Sequence, residues 1–144
     1  MGLIRKLIRS QKLISAPPSS TVHQAAVLME RFNIGAMPVI DGETLVGVFS
    51  ERDILTRVVM PERDPRATRL SEVMTKEVIT TTPNIPLSVC LRRMAQHGCR
   101  HLPVISQGRV VAMLSSRDLL FAKLEDQREE IRSLRNYLEQ APLY

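Results

Sequence analysis

Apolar and polar positions along the 144-residue chain follow a fixed succession of rhythms, and the succession occurs twice. Lys12 to Ser15 and Val78 to Thr81 read as short strands, each stopped by a proline, Pro18 or Pro83, that has no N–H for a ladder. Val22, Ala25, Ala26, Met29 and Phe32 then recur at helical spacing, and Leu87, Cys90, Leu91, Met94 and Ala95 match them. Thr21-Val22-His23-Gln24 has the form of a capping box and marks where the first of these helices begins. A hairpin follows in each copy. Met37 to Ile40 and Leu45 to Phe49 flank the turn signal Asp41-Gly42, and the second hairpin turns at Ser106-Gln107-Gly108. Ser50 and Ser115 then stand as N-caps of helices predicted over Glu51 to Met60 and from Ser116 onward.

A gap-free shift of 65 residues superposes the copies, placing Met37-Pro38-Val39-Ile40 on Leu102-Pro103-Val104-Ile105 and Ser50-Glu51-Arg52-Asp53 on Ser115-Ser116-Arg117-Asp118. Strand, helix, strand, strand, helix, given twice, is an α/β arrangement in which neither copy has enough chain to cover its own sheet. The two must pack together. The expected organisation is a basic N-terminal leader helix (1–12), a first repeat (13–60), a charged and proline-rich linker (61–70), a second repeat (71–122) and a C-terminal helix and tail (123–144). The last helix runs to about Gln140 without proline or glycine. Its apolar positions Leu120, Leu124, Ile131, Leu134 and Leu138 form a heptad seam with Gln127 in the polar slot. Two readings fit that seam about equally: packing on its own module, or self-association into a homodimer.

Composition narrows the class. With 44% apolar and 24% charged residues, the chain is that of a globular unit. A domain of this size buries roughly two-thirds of its unfolded surface and needs no staples. Two cysteines cannot build a zinc site alone and suit a reducing compartment. No run approaches the ~18–20 apolar residues of a membrane span, and the start lacks a secretory signal, so a soluble cytoplasmic protein is expected. The formal charge of +5 raises a second reading, a basic nucleic-acid-associated protein. Against it, residues 1–70 carry +3 and residues 71–144 carry +2, so the excess is spread out. Only Arg5, Lys6, Arg9 and Lys12 form a one-sided group, and with no Trp, two Tyr and three Phe there is little to stack on bases.

Catalytic constellations are missing from the sequence. The six glycines make neither a dinucleotide fingerprint nor a P-loop, and neither H-E-x-x-H nor G-x-S-x-G occurs, so a non-enzyme without a catalytic cofactor is expected. His97, Cys99 and His101 alternate and would share a face of an extended strand, as metal ligands can. Cys99, however, takes the aliphatic position of Ile34 in the other copy, which reads as core, and no fourth ligand is near.

The combination of the twofold repeat, Gly35 to Asp41, the run Leu45 to Leu55, Val73-Met74-Thr75 and Arg100 to Val104 resembles the tandem cystathionine-β-synthase-type (CBS) domain pair over roughly residues 3–123. The resemblance implies a free-standing regulatory module. Its two β-α-β-β-α repeats would lie about a pseudo-twofold axis with two clefts between them, and because dimers are common in such proteins the resemblance leans the C-terminal seam towards a homodimer. It also gives the repeated Ser-x-x-Asp a second meaning. By itself that motif caps a helix; in proteins this chain resembles, the Asp holds a ribose beside a helix N-terminus suited to an anion. The implied site comprises Asp118, Ser115, Arg100, His101 and Met113, with Ile34 and Gly35 on the opposite wall. Arg100 and His101 are the residues implied to neutralise a phosphate, and the first copy has only Gly35 and Ala36 at those positions. A second, weaker site is implied at Asp53 and Ser50. The implied ligand is an adenosine-containing molecule, AMP, ADP, ATP, NAD-like or S-adenosylmethionine, and an unidentified partner protein would read the bound state.

Overall fold

A computed structural model describes residues 2–141; the last three residues of the expected tail lie outside them. Its elements are α1 (Leu3–Ser10), α2 (Val22–Phe32), β1 (Ala36–Asp41), β2 (Thr44–Ser50), α3 (Glu51–Asp53) running on as a π-helix (Ile54–Val59), α4 (Leu70–Val73), α5 (Leu87–His97), β3 (His101–Ser106), β4 (Arg109–Ser115) and α6 (Ser116–Gln140). Both hairpins are antiparallel with the same register. Ala36 faces Ser50 as His101 faces Ser115, and each has an irregularity after its central valine, Val39 or Val104. Gly42 and Gly108 take the positive φ that their turns require.

The helical stripes bury as spaced. Val22, Ala25 and Met29 of α2 are buried, and so are their counterparts Leu87, Cys90 and Met94 of α5. Thr21 and Gln24 form the reciprocal capping box. Phe32 and Ala95, at the ends of their stripes, are instead exposed, Phe32 with the Lys12 ammonium 5.5 Å from its ring centroid.

The two strands expected to open the repeats shrink to single parallel bridges, Ala16 to Val39 and Thr81 to Val104. Prolines explain this from both sides. The Ala16 N–H donates to Pro38 O (3.3 Å) and its carbonyl accepts from Ile40 N–H (3.0 Å). Extending the ladder backward needs an N–H from Pro38, and extending it forward needs one from Pro18; neither exists. Thr81 is bounded identically by Pro103 and Pro83.

Two hydrophobic cores form, and each is completed by the segment leading into the other repeat. The first joins α2, β1 and β2 to Leu70, Val73 and Met74. The second joins α5, β3, β4 and Leu119 to Ile4, with Leu3, Leu7 and Ile8 packed against it. The leader helix α1 is therefore a core element whose basic residues Arg5, Lys6 and Arg9 point outward. This exchange is why the copies fold as one body.

The exchange extends to the sheet edges. Thr75 pairs with Val48 of β2 through two backbone hydrogen bonds, both 2.9 Å. At the matching edge of β4 no strand arrives, because the equivalent residue, Ser10, ends α1. There the Gln11 carboxamide takes the strand's place: Nε2 donates to Met113 O (2.7 Å) and Oε1 accepts from Met113 N–H (2.8 Å). Gly47 and Ala112 record the difference. A Cβ on Gly47 would lie 2.8 Å from Thr75 O and 2.7 Å from the Met74 sulfur, so the crossing backbone demands glycine. Over Ala112 only a side chain crosses.

Candidate functional site

The site begins with two helix starts related by the repeat. Ser50 and Ser115 have extended backbone and cap α3 and α6, their Oγ atoms accepting from the N–H of Asp53 (3.3 Å) and Asp118 (3.0 Å). Each start is tied to the residue preceding its hairpin: Glu51 N–H donates to Gly35 O (3.0 Å) and Ser116 N–H to Arg100 O (2.8 Å). Both acidic residues are thereby aimed from a first helical turn, where the peptide dipoles favour negative charge.

Beyond that the two carboxylates differ. Asp53 is buried and engaged on every side. It accepts from Ser50 N–H (3.0 Å), Ser50 Oγ (3.1 Å) and Thr75 Oγ1 (3.1 Å), and Arg57 Nε lies 3.7 Å away. The Arg57 guanidinium also donates to Met74 O (2.8 Å), which fixes it across the inter-repeat seam. Around Asp118 the equivalent groups have gone. The counterpart of Arg57 is Ala122, and the counterpart of Thr75 is Ser10, whose hydroxyl turns back onto Leu7 O (3.0 Å). Among the described residues no side chain hydrogen-bonds the half-buried Asp118 carboxylate.

His101 links the repeats. Its Cε1 would stand 3.7 Å from a Cβ on Gly35, and the Glu51 carboxylate 3.5 Å from the same point. Burial holds the imidazole pKa below its ordinary value; the charges of Asp118 and Glu51 pull it back up, and Arg100 pushes it down again. The expected residues Gly35, His101, Ser115 and Asp118 thus gather at one junction, with the exposed Arg100 beside His101. Ile34 packs against the first core. Met113 is nearly buried, and its backbone N–H and C=O are both taken by Gln11. The expected weaker pair, Asp53 and Ser50, is bonded to itself and to Thr75. A concavity of about 510 Å³ opens beside that pair, lined by Arg57, Thr75, Glu72, Met74, Lys76 and Glu77. Its two carboxylates are matched by Arg57 and Lys76, so the lining carries no net charge.

Four participants escaped the sequence reading. Glu51 sat unremarked between Ser50 and Asp53. Arg57 is one helical turn beyond Asp53, a spacing that could have flagged an ion pair. Thr75 and Gln11 act across the repeat, and no local pattern announces them. The alternating His97, Cys99 and His101 do not share a strand: His97 ends α5, Gly98 has φ 63°, and β3 begins at His101. Cys99 packs against the second core, and burial raises its thiol pKa. No helix among the described residues is long and apolar enough to cross a membrane.

Comparison with known proteins places this geometry. The CBS domain family pattern matches residues 4–60 and again residues 70–125. CBS domain-containing protein YhcV of Bacillus subtilis is 34% identical over 127 residues, covering 88% of this chain and 89% of that protein. The structure of a putative signal-transduction protein with CBS domains from Burkholderia ambifaria superposes with a TM-score of 0.80 at 31% identity, covering 85% of this chain and 94% of that one. The CBS domain pair of protein MJ0100, solved in complex with 5-methylthioadenosine and S-adenosyl-L-methionine, has a TM-score of 0.75 at 24% identity, over 89% of this chain and 98% of that one, a likeness of fold. With two matched domains and two exchanged cores, the chain belongs to the CBS domain family as a tandem pair.

Proposed function

We propose that this protein is a regulatory module that binds an adenosine-containing ligand at the junction of Asp118, His101, Arg100 and Gly35, and that a partner protein reads the bound state. The observation that carries the reading is the difference between the two carboxylates. Asp53 already has hydroxyl, amide and guanidinium partners, whereas Asp118 has lone pairs available for the two hydroxyls of a ribose. Arg100 and His101 stand beside it for a phosphate or another anionic group, and the Ser115 cap presents a helix start. Because Gly35 and His101 come from different repeats, a ligand seated there touches both and shifts their relation by whatever difference in affinity it has for the two arrangements. The adenosine compounds bound by the MJ0100 pair support the ligand class.

Calorimetric titration of AMP, ADP, ATP, NAD and S-adenosylmethionine into the full chain tests this. One site is expected for at least one of them, abolished by Asp118→Ala and kept by Asp53→Asn, which leaves the buried cluster its acceptor. Loss in Asp53→Asn with binding retained in Asp118→Ala would overturn the assignment. Binding of RNA or DNA with a steep salt dependence, and of none of these compounds, would favour the basic nucleic-acid reading instead.

A further inference from the structure

The final helix leaves the body of the protein early. Leu119 is fully buried and Ala122 half-buried, and from Lys123 to Gln140 every residue is exposed. Those residues make roughly 27 Å of helix at 1.5 Å per residue with nothing packed on them, whereas most helical stability in proteins comes from the packing of an amphipathic face. The seam on this helix is bare: Leu120, Leu124, Ile131, Leu134 and Leu138 are each exposed by 50% or more. Packing on its own module, one of the two expectations for this seam, is therefore not what the helix does. The stripe is narrow, and the residues flanking it carry both signs of charge, among them Glu125, Arg128, Glu129 and Arg132. That is the surface of a coiled-coil strand rather than of a basic helix lying on lipid.

We infer that α6 pairs with α6 of a second copy as a parallel, in-register, two-stranded coiled coil from Leu120 to Leu138. Two features on the helix choose this arrangement. In the parallel form Gln127 faces its own copy, and the two carboxamides satisfy each other inside an otherwise aliphatic seam. A single polar layer of this kind sets register and orientation. In the antiparallel register that keeps every layer, Gln127 faces Ile131, and its amide is left unpaired. Charge agrees. Parallel packing brings Glu130 against Arg135 of the partner twice, while antiparallel packing sets Arg128 against Arg128 and Glu130 against Glu130 at the dyad. Parallel packing also sets Lys123 against Arg128 twice, and Glu125, 3.5 Å from Arg128 on its own helix, screens that residue in either arrangement, so the parallel form is balanced in charge while the antiparallel form has two like-charge contacts. The pairing is closed and self-complementary, so it ends at two copies, with both modules at the same end of the coil.

Light scattering of the full chain over a concentration series reads the first arm, and the expected mass is twice that of one chain. Ile131→Glu with Leu134→Glu halves it, while a cooperative urea transition shows that the body remains folded. Orientation is read by oxidation of Leu138→Cys in a Cys99→Ala background: parallel pairing gives a covalent dimer of this variant alone. Gln127→Leu keeps the dimer but lets an equimolar mixture of Leu120→Cys and Leu138→Cys chains cross-link to each other, which they do not do with Gln127 present. A monomeric wild type, a dimer indifferent to the two glutamates, or cross-linking of the mixed pair in preference to Leu138→Cys alone overturns the inference.

Discussion

Replacing Gln11 by alanine tests whether a side chain does the work of a strand. The substitution removes two hydrogen bonds at once, from Gln11 Nε2 to Met113 O (2.7 Å) and from Met113 N–H to Gln11 Oε1 (2.8 Å). Met113 is only 9% exposed, so water reaches its freed backbone groups poorly. Each bond contributes about 0.5–1.5 kcal/mol net, and an orphaned buried group costs about 1–3 kcal/mol, which puts the loss for the pair near 2–3 kcal/mol. At a urea m-value of about 1–3 kcal/mol/M, the unfolding midpoint falls by roughly 1 M with the slope unchanged. Gln11→Glu discriminates the mechanism. A carboxylate still accepts from Met113 N–H but cannot donate to Met113 O, so it restores about one bond's worth of stability at most. The neighbouring Lys12→Ala, which touches only the Phe32 ring, is expected to shift the midpoint much less. A Gln11→Ala midpoint within about 0.2 M of wild type would refute the view that the carboxamide substitutes for backbone pairing.

Gly47→Ala is expected to cost about 1–3 kcal/mol, because its Cβ meets the crossing Thr75 carbonyl, whereas Ala112→Gly costs about 1 kcal/mol or less; equal losses in chemical denaturation would contradict the asymmetry. Asp53→Ala strips a buried cluster of its acceptor and should lower stability by about 2 kcal/mol or more, while Asp118→Ala, whose carboxylate no side chain among the described residues hydrogen-bonds, costs about 1 kcal/mol or less; thermal unfolding at neutral pH distinguishes them. His101 supplies a pH test. Its folded pKa lies below the unfolded value of about 6.5, so the unfolded chain takes up a proton first and stability falls as pH drops through that value towards the folded one. His101→Gln should flatten the wild-type loss between pH 7 and 5 in urea midpoints, and an unchanged slope would remove His101 as the cause. A phosphate seated beside the imidazole reverses its shift, so binding of AMP should draw in protons near pH 6, seen as a dependence of calorimetric enthalpy on buffer ionisation heat.

The two hairpins, their turns and the helix caps were legible because each rests on contacts a few residues apart. Thr21 with Gln24 and Ser50 with Asp53 are local hydrogen bonds, and Val22, Ala25 and Met29 share a face through helical geometry alone. The opening strands were misjudged although the reason lay in the chain. Pro18 and Pro38, repeated at Pro83 and Pro103, remove the N–H on either side of a single bridge, but that is visible only once the parallel partner is known. Of the candidate site, Gly35, His101, Ser115 and Asp118 were found through the repeat and the resemblance it supported. Thr75 and Gln11 were not. Their roles depend on which segment crosses which sheet edge, a property of the packed pair rather than of any stretch of sequence.

That crossing is the origin of the asymmetry on which the proposed function rests. An extended lead-in, Met74-Thr75, lays backbone along β2 and delivers a hydroxyl to Asp53; it requires Gly47 beneath it and receives Arg57 from above. A helical lead-in, α1, runs two residues too far to do the same for β4, ending at Ser10 where α4 ends at Val73, the counterpart of Ile8. Gln11 repairs the sheet edge but carries nothing to Asp118. A gene-duplicated pair would begin with two equal helix starts; with one lead-in extended and the other helical, Asp53 is satisfied by its own protein while no side chain among the described residues hydrogen-bonds Asp118. Burying that second carboxylate against a ribose then costs less than at Asp53, where a ligand must first break bonds to Ser50 and Thr75. The same helical lead-in anchors α6, which packs on α1 before it leaves the body. A ligand at Asp118, in the first turn of α6, would therefore sit at the root of the helix that carries the seam.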